Sequence, residues 1–214
     1  MSKKLRARSE AQQYVNSNPP FKGLHIGCQH HPKEGWLNVD ILPRDNGVVY
    51  MDATKPYPVG KNVFDYVFSE HMIEHISYQD GEKMLRESFD ALKPNGSIRI
   101  STPDLRFLLT LGNDENRAVK DKYMQFAAKF YPGASSVNEC MVINNFVRNW
   151  GHMFIYDEIT LGESLKKAGF ANIRTCKVGE SKIPALNNIE NHGFEIGHDF
   201  NLLESLVMEG DKIV

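Results

Sequence analysis

Apolar positions along this chain fall into short runs separated by polar or glycine-containing breaks. Lys22–Gly27 (KGLHIG), Trp36–Ile41 (WLNVDI), Val48–Asp52 (VVYMD) and Val63–Ser69 (VFDYVFS) are each short and rich in β-branched or aromatic residues. Each ends at a polar or Gly position, which predicts four strands. The period then changes. Asp80–Leu92 places Met84, Leu85, Phe89 and Leu92 on one face with charges elsewhere, the pattern of an amphipathic helix. Lys93-Pro94-Asn95-Gly96 stops that helix and turns the chain into a fifth strand, Ser97–Thr102, ended by Pro103-Asp104. Asp157–Ala168 predicts another helix, with Ile159, Leu161 and Leu165 apolar and Gly169 as its C-cap. Asn172–Val178 predicts a sixth strand and Leu202–Met208 a last one. Residues 4–17 predict a polar, weakly amphipathic helix stopped by Asn18, Pro19 and Pro20.

Strands alternating with helices imply an α/β fold, a doubly wound, mostly parallel sheet with helices on its faces. The whole chain, 1–214, reads as one domain. The stretch Leu105–Tyr156 (105–156) is far longer than its connection requires, and such inserts tend to be lids or binding loops. It contains a helical pattern at Glu115–Phe130 and a loop-like PGASS segment at Pro132–Ser136. It reads as a helical cap after strand five, over the carboxyl edge where open α/β sheets bind ligands.

Composition narrows the partners. A formal net charge of −2, 41% hydrophobic and 24% charged residues are ordinary for a soluble globular protein and exclude disordered, collagen-like and disulfide-scaffold chains. There is no electrostatic footprint for duplex DNA, so a nucleic-acid acceptor is not supported. Cys28, Cys140 and Cys176 are odd in number and form no CxxC pair, which fits reduced thiols in a cytoplasmic protein. The basic N-terminus lacks the apolar core of a secretory signal. No apolar run approaches the ~20 residues that span a bilayer, so no membrane partner is expected.

Three chemical features fall at the carboxyl ends of predicted neighbouring strands: Gly27, Asp40, and Asp52 followed by Ala53. A glycine at the first turn lets backbone approach a ligand closely, and a carboxylate at the next strand tip can accept both hydroxyls of a ribose. Taken singly, either aspartate could equally be a strand-end turn residue. As a set, with LHIGC, NVDI, MDATKPYPVGKNVFDYVFSEHMIEHI, LRESFDALKPNGSIRISTPDL and GHMFIYDEITLGESLKKAGF, the chain resembles the class I S-adenosylmethionine-dependent methyltransferases. The texture is closest to the small members that modify small molecules or surface glycans. The resemblance implies a Rossmann-like sheet with an antiparallel last strand. It implies S-adenosylmethionine as cofactor and an O or N nucleophile of a small molecule or sugar as acceptor.

Carried over by position, the backbone at Gly27 and Cys28 would lie against the methionine part of the cofactor. Asp40, with Ile41 beside it, would take the ribose hydroxyls. Asp52 would accept the adenine amino group, the Ala53 amide would donate to the ring, and backbone near Ser69 would face the methionine amino group. Two departures stand out. Gln29 and His31 sit where the family has further glycines. Only Cys28–Gly35 separate strands one and two, whereas a parallel crossover usually takes roughly a dozen residues and carries a helix. The first helix is therefore expected to be missing, with the helix at 4–17 covering the vacated face. A non-catalytic, degenerate cofactor-binding domain is the alternative these departures leave open.

The motif His71-Met72-Ile73-Glu74-His75 has three readings. It matches H-x-x-E-H, a zinc-hydrolase motif, yet it follows a strand and precedes the clear helix instead of lying inside one. It could be part of a divalent metal site with His152 as a further ligand. The preferred reading needs no metal: Glu74 favours a helix N-terminus, and His75 is the best general base for a hydroxyl acceptor. His71, His75 and His152 are thus the catalytic candidates. In the insert, Arg106, Arg148 and Trp150 are candidate acceptor contacts, each weighed against a surface or packing role. His30 and His31 beside Cys28 read as incidental, and Asn187, Asn188, Asn191 and His192 as a surface loop.

Overall fold

The computed structural model describes residues 3–113, 117–134 and 136–213. The chain runs α1 (Lys3–Asn16), β1 (Gly23–Ile26), β2 (Trp36–Asp40), β3 (Val48–Tyr50), β4 (Phe64–Glu70), a 3₁₀ turn (Ile73–His75), α2 (Tyr78–Ala91) and β5 (Leu92–Pro103). It continues through α3 (Leu105–Leu109), α4 (Arg117–Ala127), a 3₁₀ turn (Ala128–Phe130), α5 (Glu139–Arg148), α6 (Glu158–Ala168) and β6 (Ala171–Cys176). A 3₁₀ turn (Pro184–Leu186), α7 (Gly193–Ile196), α8 (His198–Glu204) and β7 (Ser205–Asp211) complete it. The sheet order is β3-β2-β1-β4-β5-β7-β6. The β1–β2, β2–β3, β1–β4 and β4–β5 pairs are parallel. β7 runs antiparallel to both neighbours, as the resemblance implied.

Several boundaries differ from the sequence reading. β3 stops at Tyr50, so Asp52 lies in the loop beyond it. The turn expected at Lys93–Gly96 is an irregularity in β5: Asn95 has φ +64, and the register to β4 shifts between Phe64 and Tyr66. The last strand is not Leu202–Met208. Leu202–Glu204 finish α8, and the strand continues instead through Glu209, Gly210 and Asp211. Those polar residues enter the sheet because their charges are met there. Fully buried Glu209 pairs with Arg99 at 2.7 Å and Arg174 at 2.7 Å. Of the insert's predicted helix, Glu115 lies outside the described residues, as does Ser135 of the loop-like segment.

No helix connects β1 to β2. Ala7 and Ala11 of α1 join the main core, packed with Leu37, Val39 and Val49. Tyr14 stacks on Phe64 with centroids 6.4 Å apart. Its hydroxyl donates to Gly35 O at 2.8 Å and accepts from Gly23 N at 3.0 Å, holding α1 to the start of β1 and to the end of the short crossover. Tyr14 closes the face that a crossover helix would otherwise cover. α2 is capped by Ser77, whose hydroxyl accepts from Asp80 N at 3.2 Å, and α6 ends at Gly169 with φ +111. The insert's helices have a core of their own, built on Phe107, Leu108, Tyr123, Val142 and Phe146.

His25 on β1 gives the fold an acid-sensitive point. Its Nδ1 lies 3.2 Å from Asn38 Oδ1, an oxygen that also accepts from Lys33 N at 2.7 Å, so the imidazole proton sits on Nδ1. Burial first, and then the Lys33 charge, pull its pKa from 6.5 to about 3. The folded ring stays neutral while the unfolded chain takes up a proton below pH 6.5. Stability is therefore lost as pH falls from 6.5 toward 3, by about 2 kcal/mol at pH 5. The unfolding free energy from urea titration should fall by about this much more between pH 7 and pH 5 in the natural chain than in His25→Gln. An equal pH dependence in the two would refute it.

Candidate functional site

β1 runs into Gly27 and β2 ends in Asp40, so both lie on the carboxyl edge of the sheet. The Met51 N–H donates to Asp40 O at 3.0 Å, which brings the Asp52 loop alongside. Gly27 has φ +69, and a Cβ built there would stand 2.2 Å from Met72 Cγ. Only glycine fits a left-handed backbone pressed against a side chain in this way. Asp40 is buried, with Oδ2 accepting from Gln29 N at 3.1 Å and Oδ1 from Leu42 N at 2.7 Å. A carboxylate can accept about four hydrogen bonds, so acceptor capacity remains. Asp52 Oδ1 accepts from the Thr54 N–H at 3.0 Å and hydroxyl at 2.7 Å, while Oδ2 has no hydrogen bond among the described residues. Together with Ile41, Ala53 and Met72, these residues line a cleft of about 500 Å³.

Two of the expected cofactor residues do not line this cleft. Cys28 is buried behind it, and burial with the Asp40 charge pushes its thiol up to about 12, so it is no thiolate. Ser69 is fully buried inside β4, with its hydroxyl unpartnered. Gln29 points between the cleft and a second cavity, and its N–H holds Asp40.

That second cavity, about 370 Å³, shares Gln29, His75 and Trp150 with the first. The HMIEH motif forms its floor without being a helix face. His71 follows β4 directly with φ +44, and Ile73–His75 make the 3₁₀ turn before α2. Glu74 does not stand at the start of α2, as the sequence suggested, but is completely buried. Its Oε2 accepts from the Thr102 hydroxyl at 3.1 Å. Its Oε1 is 3.4 Å from His71 Nδ1 and 3.9 Å from His75 Nε2, yet has no hydrogen-bond partner. The Glu74 carbonyl receives Met153 N at 2.7 Å, which ties the exit of the insert to the motif. Burial alone would raise the Glu74 pKa; the adjacent His71, with the His75 charge, outweighs it and lowers it, which keeps the carboxylate ionised. Burial likewise works against protonated His71, but Glu74, Glu204 and Glu70 outweigh it and raise that pKa.

His152 reaches the same floor from the insert, with its ring 4.9 Å from that of His75. Its Nδ1 is 2.6 Å from Phe146 O. A carbonyl only accepts, so Nδ1 carries the proton and Nε2 keeps a lone pair. Burial outweighs Glu74 and lowers its pKa, which keeps the ring neutral. Glu74, His75 and His152 offer ligand atoms within 4.8 Å of one another, a set that could hold a borderline divalent metal. His71 does not belong to it. Its Nε2 bonds Ser205 Oγ at 3.1 Å and its ring stacks on His192 at 3.8 Å, which separates the two histidines that the zinc-hydrolase reading would pair.

Among the described residues, seven non-glycine residues have positive φ. Asn62, Asn95, Asn172 and Asn188 are the type that tolerates it; the other three, Gln29, His71 and Trp150, all line the second cavity. Such backbone costs on the order of 1–3 kcal/mol and gathers at working sites. Sequence reading missed His192 and Glu204. The loop taken as surface is turned inward at Asn191 and His192, whose N–H groups donate to the Glu70 carboxylate at 2.9 Å. It also missed the rings of Tyr123, Phe126, Phe130 and Phe146, although Tyr123, Phe126 and Phe130 recur at helical spacing. Arg106 pairs with Glu158 at 3.3 Å on the surface and Arg148 is exposed; neither lines these cavities. His30 lines the cleft 3.2 Å from Asp45, whereas His31 pairs with Glu195 at 2.7 Å, so the two do not gather with Cys28.

A family described as a methyltransferase domain matches residues 15–175. No curated protein matches the sequence. Among solved structures, a SAM-dependent methyltransferase from Archaeoglobus fulgidus aligns over 99% of this chain and 95% of its own, at 17% identity and TM-score 0.53. A SAM-dependent methyltransferase of Thermotoga maritima aligns over 96% of this chain and 89% of its own, at 17% identity and TM-score 0.51. The 1,6-didemethyltoxoflavin-N1-methyltransferase of Burkholderia thailandensis aligns over 100% and 79%, at 13% identity and TM-score 0.51. At these identities the likeness is one of fold.

Proposed function

The chain belongs to the methyltransferase domain family, and from that premise we propose that it transfers a methyl group from S-adenosylmethionine to an O or N nucleophile of a small molecule or sugar. The Burkholderia relative, whose structure holds S-adenosylhomocysteine and a small-molecule acceptor, is in keeping with this reading. The observation that carries it is the pair of cavities meeting at Gln29, His75 and Trp150.

The cleft fits the cofactor. Gly27 lines the cleft with backbone alone, in a left-handed conformation with φ +69. Asp40 retains acceptor capacity for two ribose hydroxyls, and Asp52 Oδ2 is available to an adenine amino group. Half-exposed Ile41 offers an apolar face to the base. When bound, S-adenosylmethionine supplies an electrophilic methyl group: the acceptor's lone pair forms the new bond to carbon as the carbon–sulfur bond breaks, its electron pair staying on sulfur. The protein's part is alignment, exclusion of water and removal of the acceptor's proton. His75 stands on the wall common to both cavities, backed by ionised Glu74. Neutral His152, with its free Nε2, stands behind it.

Calorimetric titration with S-adenosylmethionine and S-adenosylhomocysteine tests the reading. Micromolar binding of both is expected; no binding of either would overturn it. His75→Ala should then bind S-adenosylhomocysteine as the natural chain does. Its turnover, read as S-adenosylhomocysteine release with an active acceptor, should fall by about 10²-fold or more, the usual range for a lost general base. Full turnover would remove His75 from the chemistry.

A further inference from the structure

The described residues lining the second cavity include no lysine or arginine. They do include two buried carboxylates, Glu74 and Glu204. Opposite them stands a wall of rings from the insert. Trp150 packs on Phe130 at 5.1 Å and Phe146 at 5.9 Å, and Phe126 on Phe130 at 5.9 Å. Resting on the methyl-transfer reading, we propose that this cavity is the acceptor pocket and that it takes a small amine or nitrogen heterocycle bearing no phosphate or carboxylate.

Three acceptor classes meet this lining differently. Phosphates and carboxylates are recognised by arginine forks, lysines or clustered backbone N–H groups. Here an anion would meet no arginine fork or lysine, and the histidines beside the two glutamates, His71 at 3.4 Å from Glu74 and His192 at 3.2 Å from Glu204, already face those carboxylates. A sugar carries hydroxyls around its whole rim, and each one buried without a partner costs free energy. The ring wall has few polar atoms to offer. The Tyr123 hydroxyl is already committed to Glu204, which leaves the Trp150 indole N–H. An amine meets what is present. Ring faces attract a cation or a polarised N–H. Glu74 Oε1, fully buried and without a hydrogen-bond partner, is an acceptor that lacks a donor, and an amine supplies one.

The chemistry balances. The nitrogen lone pair forms the bond to the methyl carbon, and the pair of the broken carbon–sulfur bond stays on sulfur. The nitrogen, now positively charged, gives up one proton to His75, the base on the wall common to both cavities.

The test is calorimetry on the protein saturated with S-adenosylhomocysteine, using four probes: benzylamine, benzyltrimethylammonium, benzyl phosphate and methyl glucoside. Both nitrogen compounds are expected to bind at least about tenfold more tightly than the other two, the scale of one cation–π contact. Trp150→Ala should lose that preference, and so should Phe130→Leu, a milder change of the same wall. Glu74→Gln should weaken benzylamine more than benzyltrimethylammonium, which has no N–H to donate. Equal or tighter binding of benzyl phosphate or methyl glucoside would overturn the proposal, as would failure of both nitrogen compounds on a protein that binds S-adenosylhomocysteine. If S-adenosylhomocysteine itself does not bind, the methyl-transfer reading fails separately, and the same titrations on the protein alone still decide the pocket's preference.

Discussion

Asp40→Ala is expected to weaken S-adenosylhomocysteine binding about a hundredfold. Two hydrogen bonds from a carboxylate to ribose hydroxyls, at roughly 1.5 kcal/mol each, amount to about 3 kcal/mol, and each 1.4 kcal/mol is a factor of ten. The effect has a second source. Asp40 also receives the Gln29 and Leu42 N–H groups, which set the two segments forming the mouth of the cleft. Alanine would leave both N–H groups without their partner and let the positive-φ turn at Gln29 relax. Asp40→Asn keeps the shape and one acceptor oxygen, so it should fall between the natural chain and alanine. Calorimetry on the three proteins, each checked for folding by its thermal midpoint, reads this directly. An unchanged dissociation constant in a folded Asp40→Ala protein would move the cofactor site elsewhere.

Arg99→Met should cost about 4 kcal/mol of stability, within the 3–5 kcal/mol seen when one member of a buried ion pair is removed. Arg99 is fully buried on β5. It donates to Glu190 at 2.5 Å, Glu209 at 2.7 Å, Glu180 O at 3.0 Å and Lys177 O at 3.2 Å. Methionine fills similar volume but leaves the buried Glu190 carboxylate without a counter-charge. The loss would also reach the second cavity. Glu190 precedes Asn191 and His192, and Glu190 Oε2 receives Gly179 N at 3.0 Å, so Arg99 anchors the segment that turns His192 inward. Urea unfolding at pH 7 gives the number. Adding Glu190→Leu to Arg99→Met should recover part of it, because the stranded charge goes too. A loss below about 1 kcal/mol for Arg99→Met would mean that water reaches these carboxylates and that the ion pairs are worth no more than exposed ones.

Much of the fold was legible because it is written in local signals. The strand runs, the core of the helix expected at Asp80–Leu92 and the Gly169 stop depend on period and turn chemistry within a few residues; the first turn of that helix and its Ser77 cap were not read from the sequence. The missing crossover helix was legible too, since Cys28–Gly35 is too short to hold one. Gly27, Asp40 and Asp52 could be set on one edge because each follows a strand whose direction the alternation implies. Cys28 and Ser69 could not be oriented in the same way. Whether a strand-end side chain faces the cleft or the interior depends on the turn that follows, and here Gly27 at φ +69 sends Cys28 inward.

The candidate site divides along the same line. Residue type and spacing alone gave the edge glycine, the two carboxylates, the HMIEH motif and the long insert after strand five. Those features depend on strand ends and short-range periods, which a chain carries within itself. Tertiary structure alone decided that Glu74 is a buried floor residue, that His71 faces Ser205 and His192 instead of joining His75, and that β7 continues through Glu209 and Asp211. It also decided that Glu204 and five insert rings close one cavity with residues far away in sequence. Each of these rests on a charge met, or a surface buried, by partners tens of residues distant, such as Arg99 against Glu209 or Glu70 against the Asn191 and His192 N–H groups. Burial turns a polar residue from a surface group into a structural one only when such a partner arrives, and no local pattern specifies which partner that will be.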